Sequence, residues 1–155
     1  MRSVRFSLAR GSLRAATLAD VIDTRAGEPL SAARLEADRE RLQQWLVARG
    51  HLDAVVEVPT VRVGGDGAAA VEFAVDTGPL YVVRAVVLRG RHADHPGLAA
   101  VATLRPGNDA IAERIDGNVE LLRDWLAHRG VTATVTARME PDGFTGEVDV
   151  IYTID

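Results

Sequence analysis

The sequence predicts an α+β protein of two tandem β-α-α-β-β domains, each a three-stranded mixed sheet with two helices packed on one face. The first of three supporting observations is a repeat. Trp45-Leu46-Val47-Ala48-Arg49-Gly50 returns 80 positions later as Trp125-Leu126-Ala127-His128-Arg129-Gly130, and the chain has no other tryptophan. At the same shift Leu42 meets Leu122, Asp38 meets Asn118, Leu35 meets Ile115 and Gly27 meets Gly107. With one residue fewer, 71–76 fall on 150–155, and Val4 and Gly11 fall on Val83 and Gly90. A repeat running through the whole chain fixes the domain count, here two units at 1–77 and 78–155. The second observation is period: each copy passes from alternation at two residues to a 3.6-residue stripe and back. The third is punctuation, because glycine and proline fall between those segments.

In the first copy, Val4, Phe6 and Leu8 alternate with polar residues as in a strand. Gly11 and Ser12 break it, and Leu18, Val21 and Ile22 then recur at helical spacing within 13–23. Gly27 and Pro29 stop that helix. Ser31 is placed to cap a longer helix through Arg49, with Leu35, Leu42, Trp45 and Leu46 on its inward stripe. The opposite face carries Glu36, Arg39, Glu40, Arg41 and Gln43 and reads as solvated charge. Gly50 sits where a left-handed helix-ending residue belongs. A strand over 53–63 follows, interrupted at Pro59, which marks it as an edge or a bulge. Gly64 to Gly67 supply a hairpin turn, and Val71, Phe73 and Val75 line the last strand's buried face.

Only Thr77-Gly78-Pro79-Leu80 joins the copies, a short joint without a flexible glycine–serine tract. The second copy predicts a strand over 81–89, then a loop and short helix over 92–104 ended by Pro106 and Gly107. Asp109 is placed to cap a long helix to Arg129 with the stripe Ile111, Ile115, Val119, Leu122, Trp125 and Leu126. Val131, Ala133, Val135, Ala137 and Met139 then alternate with polar residues up to a turn at Pro141, Asp142 and Gly143. Val148, Val150, Tyr152 and Ile154 form the inner face of the last strand.

Composition excludes several functions. The apolar content of 47% and charged content of 26% are those of an ordinary globular protein. A net charge of −4 and 5% aromatic residues disfavour nucleic acid, whose binders need a basic face or stacking aromatics. No run reaches the length of a membrane helix, and no signal-like segment opens the chain, so an exported form would make this an interior piece. Without cysteine or lysine, and with serine only at positions 3, 7, 12 and 31, no nucleophile–base–orienter set can be assembled. The expectation is a protein that is not an enzyme and carries no cofactor. His92, Asp94 and His95 lack a further ligand and a supporting shell for a metal, so a solvated loop is expected there, as are surface positions for His51 and His128. Trp45 and Trp125 read as core fillers, and Asp38 as a hydrogen-bond partner of a neighbouring loop backbone. The glycines at 64–67 lack the strand–turn–helix setting of a phosphate loop.

Two passages resemble a known family. Leu35-x-x-Asp38-x-x-x-Leu42-x-x-x-Leu46-x-x-x-Gly50-His51-Leu52-Asp53-Ala54-x-Val56 is similar to the helix-to-strand signature of POTRA (polypeptide-transport-associated) repeats. Gly78-Pro79-Leu80-Tyr81-x-Val83, continuing to Gly90, resembles the passage that opens the next such repeat. The positions that carry the pattern are Trp45, Gly50, Asp53, Gly78, Pro79, Tyr81, Gly90, Trp125 and Gly130; after Gly130 the second copy departs, with Val131-Thr132-Ala133 in place of an aromatic and an acidic residue. The resemblance covers nearly the whole chain and is closest to BamA- and TamA-like outer-membrane proteins and surface antigens, whose repeats precede a transmembrane β-barrel. It implies a periplasmic protein-binding module for protein transport and membrane protein assembly. Its partners would be unfolded or nascent outer-membrane or secreted proteins and accessory assembly proteins, with the barrel lying C-terminal to this piece.

An edge strand offers unpaired N–H and C=O groups to an extended chain, with affinity that depends little on client sequence. By the resemblance the free edge is the first strand after each long helix. Candidate partner-binding residues there are Ala54, Val56, Val58, Val61 and Val63 in the first copy and Thr132, Thr134, Thr136 and Arg138 in the second. The same edges could equally be edges that nothing binds. A tandem small-molecule-binding regulatory module is the alternative function.

Overall fold

The structure, a computed structural model, describes residues 3–10 and 13–155, and of Arg10 the backbone alone. The strand break expected at Gly11 and Ser12 lies outside the described residues. The chain divides into two compact units between Pro79 and Leu80, with residues 48–50 grouped with the second. Each unit is an α+β layer pair.

In the first unit the elements are β1 (Ser3–Arg10), α1 (Ala15–Val21), α2 (Ala32–Ala48), β2 (Val55–Val56), β3 (Thr60–Val63) and β4 (Ala69–Asp76). The strand β4 is central, with β1 parallel on one side and β2 and β3 antiparallel on the other. Central placement follows from its pattern: Val71, Phe73 and Val75 are buried while their neighbours are half-buried. Leu18 of α1, Leu35, Leu42 and Leu46 of α2, and Ile22 complete this core. Removing each such side chain from water contributes about 1.5–3 kcal/mol. Phe6 stacks on Phe73 with ring centroids 5.7 Å apart. Ser31 caps α2 as expected, its Oγ accepting the Arg34 N–H (3.3 Å).

The expected strand over 53–63 is two pieces. Val56 pairs with Val75 but Thr60 pairs with Glu72, so four residues along one strand answer three along the other. That extra residue is a bulge containing Pro59, which has no N–H to give to the ladder.

The second unit holds β5 (Val82–Arg89), a 3-10 turn (Leu98–Ala100), α3 (Ala112–Ala127), β6 (Val135–Asp142) and β7 (Glu147–Ile154). Here β7 is central, parallel to β5 and antiparallel to β6. Val148, Val150, Tyr152 and Ile154 are fully buried, as the alternation predicts. Tyr152 also donates its hydroxyl to the Ile115 carbonyl (3.1 Å), tying the sheet to α3. Burial pushes that phenol up to about 12.

Three local expectations change in this unit. The short helix before Pro106 is a single 3-10 turn, in which buried Leu98 takes the inward role. Asp109 does not cap α3: the N-cap position is Ile111, without a side-chain bond, and Asp109 forms an isolated bridge with Val82 instead. The strand β6 starts at Val135 and runs through Pro141 to Asp142, so Pro141 lies in the strand and not in the turn.

Candidate functional site

The strands singled out from sequence, β2 with β3 and β6, are edges of their sheets. What each edge offers follows from its register. In an antiparallel pair, alternate residues send both N–H and C=O to the neighbour and the others send both outward. Thr134 and Asp155 exchange both bonds (2.7 and 3.0 Å), and Thr136 pairs with Thr153 in the same register. Residues 134, 136, 138 and 140 therefore face β7. Val135, Ala137 and Met139 direct their backbone groups to the open side, and no described residue hydrogen-bonds to them there. Pro141 also faces outward, and its missing N–H explains why a proline is tolerated inside this strand.

The first edge is different. The Glu57 N–H donates to the Ala74 carbonyl (3.0 Å), which turns the Ala54 carbonyl and the Val56 N–H outward. Both are taken by one side chain. Gln43 of α2 donates through Nε2 to the Ala54 carbonyl (2.5 Å) and accepts the Val56 N–H at Oε1 (3.0 Å). A carbonyl and the N–H two residues later are the pair that one residue of a parallel neighbouring strand would use. In β3, the Gly64 N–H donates to the Ala68 carbonyl (2.8 Å), so Val61 and Val63 have the outward groups.

The candidate residues therefore divide. Ala54 and Val56 are 5% and 3% exposed, so they offer no side chain and their outward backbone groups are occupied by Gln43. Val58, Val61 and Val63 are 75%, 37% and 69% exposed, an apolar strip along the bulge and β3. Thr136 and Arg138 lie exposed in β6, whereas Thr132 precedes the strand and Thr134 is already paired to Asp155. Sequence reasoning placed Gln43 on a solvated helix face. The available signal was its counterpart 80 positions on, Arg123, where the copies part company in size and charge. The other edge of the second sheet is closed over its first half: Val83 donates to the Asn108 carbonyl (2.8 Å) and accepts the Gly107 N–H (2.8 Å).

The motif positions are structural. Asp38, fully buried, accepts the Asp23 N–H at Oδ1 and the Thr24 N–H at Oδ2, both at 2.8 Å. Asn118 does the same work with one oxygen, accepting from Thr103 (2.6 Å) and Leu104 (3.3 Å) while Nδ2 donates to the Arg114 carbonyl (2.7 Å). The expected loop-backbone bond is thus present in both copies. Gly90 has φ +105°, and a Cβ there would lie 2.5 Å from the Ile154 carbonyl oxygen, so only glycine fits. Gly50, Gly78 and Gly130 also have positive φ, and a Cβ on Gly78 would touch that of Asp53 at 3.4 Å. Pro79 completes that joint, and Tyr81 beyond it is fully buried.

The tryptophans are half-buried and not central fillers. Trp45 packs against the margin of its core. Trp125 is edged by His95 (5.3 Å between rings) and covered by the Arg129 guanidinium 3.6 Å from its ring centroid. His92 and His95 are half-buried, whereas Asp94 of the same loop is exposed. His51 is half-buried, a correction to the surface position expected, and exposed His128 places Nδ1 2.7 Å from the Asp124 carbonyl. Among the described residues no group of histidine and carboxylate side chains is arranged to hold a metal, and no helix is long and apolar enough to cross a membrane.

Comparison with known proteins places this architecture. Residues 2–78 match the model of the POTRA family, described as the surface antigen variable number repeat. POTRA domains 3–5 of BamA from Haemophilus influenzae superpose with a TM-score of 0.65 at 16% identity, over 99% of this chain and 65% of that one. POTRA domains 1–2 of the periplasmic domain of Omp85 from Anabaena give 0.62 at 16% identity, over 98% and 93% of the two chains. BamA from Haemophilus ducreyi lacking POTRA domains 1–3 gives 0.55 at 24% identity, over 90% of this chain and 26% of that one. No curated protein matches the chain. This chain thus spans 65% of the Haemophilus influenzae fragment and about a quarter of the Haemophilus ducreyi chain. With the family's model on the first copy, and the same strand order and helix-to-loop anchor in the second, the chain belongs to the POTRA family as a tandem pair of repeats.

Proposed function

We propose that this tandem pair is the periplasmic protein-interaction module of an outer-membrane protein assembly or transport protein of the BamA or Omp85 kind. In this reading it binds client chains or accessory assembly proteins as extended segments added to an open sheet edge. The observation that carries the reading is β6, where three consecutive outward positions present backbone donors and acceptors that no described residue uses. Strand addition uses such groups directly and asks little of client sequence. Family membership and the periplasmic domain of Omp85 among the similar structures support the compartment. A C-terminal transmembrane barrel belongs to the same proposal.

A small-molecule module is less well supported. The apolar groove of each repeat, between β1 and α1 in the first and between β5 and the 3-10 turn in the second, is open and lined largely by alanine and aliphatic side chains. Such walls give few polar groups to orient a small ligand.

The test is photocrosslinking in cells, in the full-length protein, from Val55 on β2 and Thr136 on β6. Both side chains are exposed, whereas Val56 points into the core. Adducts with an outer-membrane protein in assembly, or with an accessory protein, are expected. Absence of adducts from both positions, with the protein folded and exported, would sink the reading.

A further inference from the structure

The two repeats have one topology but unequal edges, and the inequality is traceable to one residue. In the first repeat the two outward backbone groups flanking Val55 are held by the Gln43 amide, which occupies the place of a neighbouring strand. Beyond them the bulge at Pro59 interrupts the ladder, leaving Val61 and Val63 as the outward positions of β3. An incoming chain at β2 must first displace Gln43 and then cross a break in register. In the second repeat the counterpart of Gln43 is Arg123, whose guanidinium pairs with Glu120 on the exposed face of α3 and makes no bond to β6. The outward groups at Val135, Ala137 and Met139 follow one another without a break, spaced by about 6.8 Å along the strand. Pro141 then withholds the next donor.

We infer that Gln43 is an intramolecular edge plug that closes β2 to strand addition, and that an added strand docks on β6 between Val135 and Met139. The partner is an extended polypeptide segment of about five residues with free backbone N–H groups. Its side chains on the helix side continue the half-buried row of Ala137 and Met139, so small or medium apolar residues at alternate positions fit there. Those on the other side lie beside exposed Thr136 and Arg138, which accept polar residues. The inference rests on the strand-addition reading above but separates from it under test.

The experiment is residue-resolved amide hydrogen exchange on this 155-residue chain, alone and with a soluble decapeptide alternating valine with threonine and lysine. Without peptide, the Val56 N–H should be protected and those of Val135, Ala137 and Met139 should exchange freely. Peptide should protect these three and leave β2 and β3 unchanged, while a copy N-methylated at alternate residues on its pairing side should protect none. Gln43→Ala should speed Val56 exchange by about tenfold, the scale of one lost hydrogen bond, and Gln43→Met, which can neither donate to Ala54 nor hold the Val56 N–H, should do so with side-chain length kept. Either variant, with its amide spectrum otherwise that of the folded chain, should then gain peptide protection at Val56. Further protection on adding peptide at Val56, Val61 or β1 in the unsubstituted chain, or free Val56 exchange without peptide, would overturn the plug while leaving strand addition standing. No protection at any edge, in any variant, would overturn both.

Discussion

The first and second repeats place their strands in the same order but finish their edges differently. Sheet order is set by many residues at once: the fully buried rows Val71, Phe73, Val75 and Val148, Val150, Tyr152 put β4 and β7 in the centre. Edge accessibility is set by very few. One glutamine and the proline that breaks β2 from β3 close and interrupt the first edge, whereas the proline in β6 lies at its far end. Repeats that share a core can therefore diverge in binding without any change of fold. A free edge is also a liability for aggregation, which a short strand, a bulge or a covering side chain mitigates.

The comparison of cores should show the largest effect. Leu42→Ala and Leu122→Ala remove counterpart side chains that are fully buried, and each should destabilise its own repeat by about 2–5 kcal/mol. Each repeat holds one tryptophan, so chemical denaturation of Trp45→Phe and Trp125→Phe backgrounds reports the two transitions separately. A repeat indifferent to its leucine would break the equivalence.

The buried anchors come next. Asp38→Ala and Asn118→Ala each strand two backbone N–H groups and should cost about 2–4 kcal/mol in the same assay. Exchanging the two residues sharpens the point. Asp38→Asn should be tolerated better than Asn118→Asp, because the latter turns a carboxylate oxygen on the Arg114 carbonyl that Nδ2 now serves at 2.7 Å. Equal costs would mean that the anchors are interchangeable.

Smallest is the hydroxyl that distinguishes Tyr152 from its counterpart Phe73. Tyr152→Phe should cost about 1 kcal/mol through the lost bond to Ile115. The phenol's folded pKa is raised to about 12, so the unfolded chain ionises first, from about pH 10. Its contribution is therefore complete below that pH and is lost as pH rises toward about 12, and Tyr152→Phe should flatten the decline. A decline of unchanged slope in the variant would assign it elsewhere.

Much of this was legible in the chain. The repeat, the stripes, the cap at Ser31, the turn at 64–67 and the bond from Asp38 to a loop backbone were all readable, because each depends on residues close in sequence or on an internal copy. The reading of Pro141 as a turn residue failed for a tertiary reason. A proline is excluded from a ladder only if its missing N–H faces a neighbour, and the pairing of Thr134 with Asp155 decides that it does not. Asp109 likewise has a capping residue's chemistry but is held by Val82 in a bridge.

By itself, then, the sequence determined two copies, their element order, their inward faces and their family, all carried by period and local punctuation. Tertiary structure alone decided which edge backbone groups remain free. That depends on register across the sheet and on a side chain reaching from Gln43 to residues 11 and 13 positions away, separations that no local pattern records.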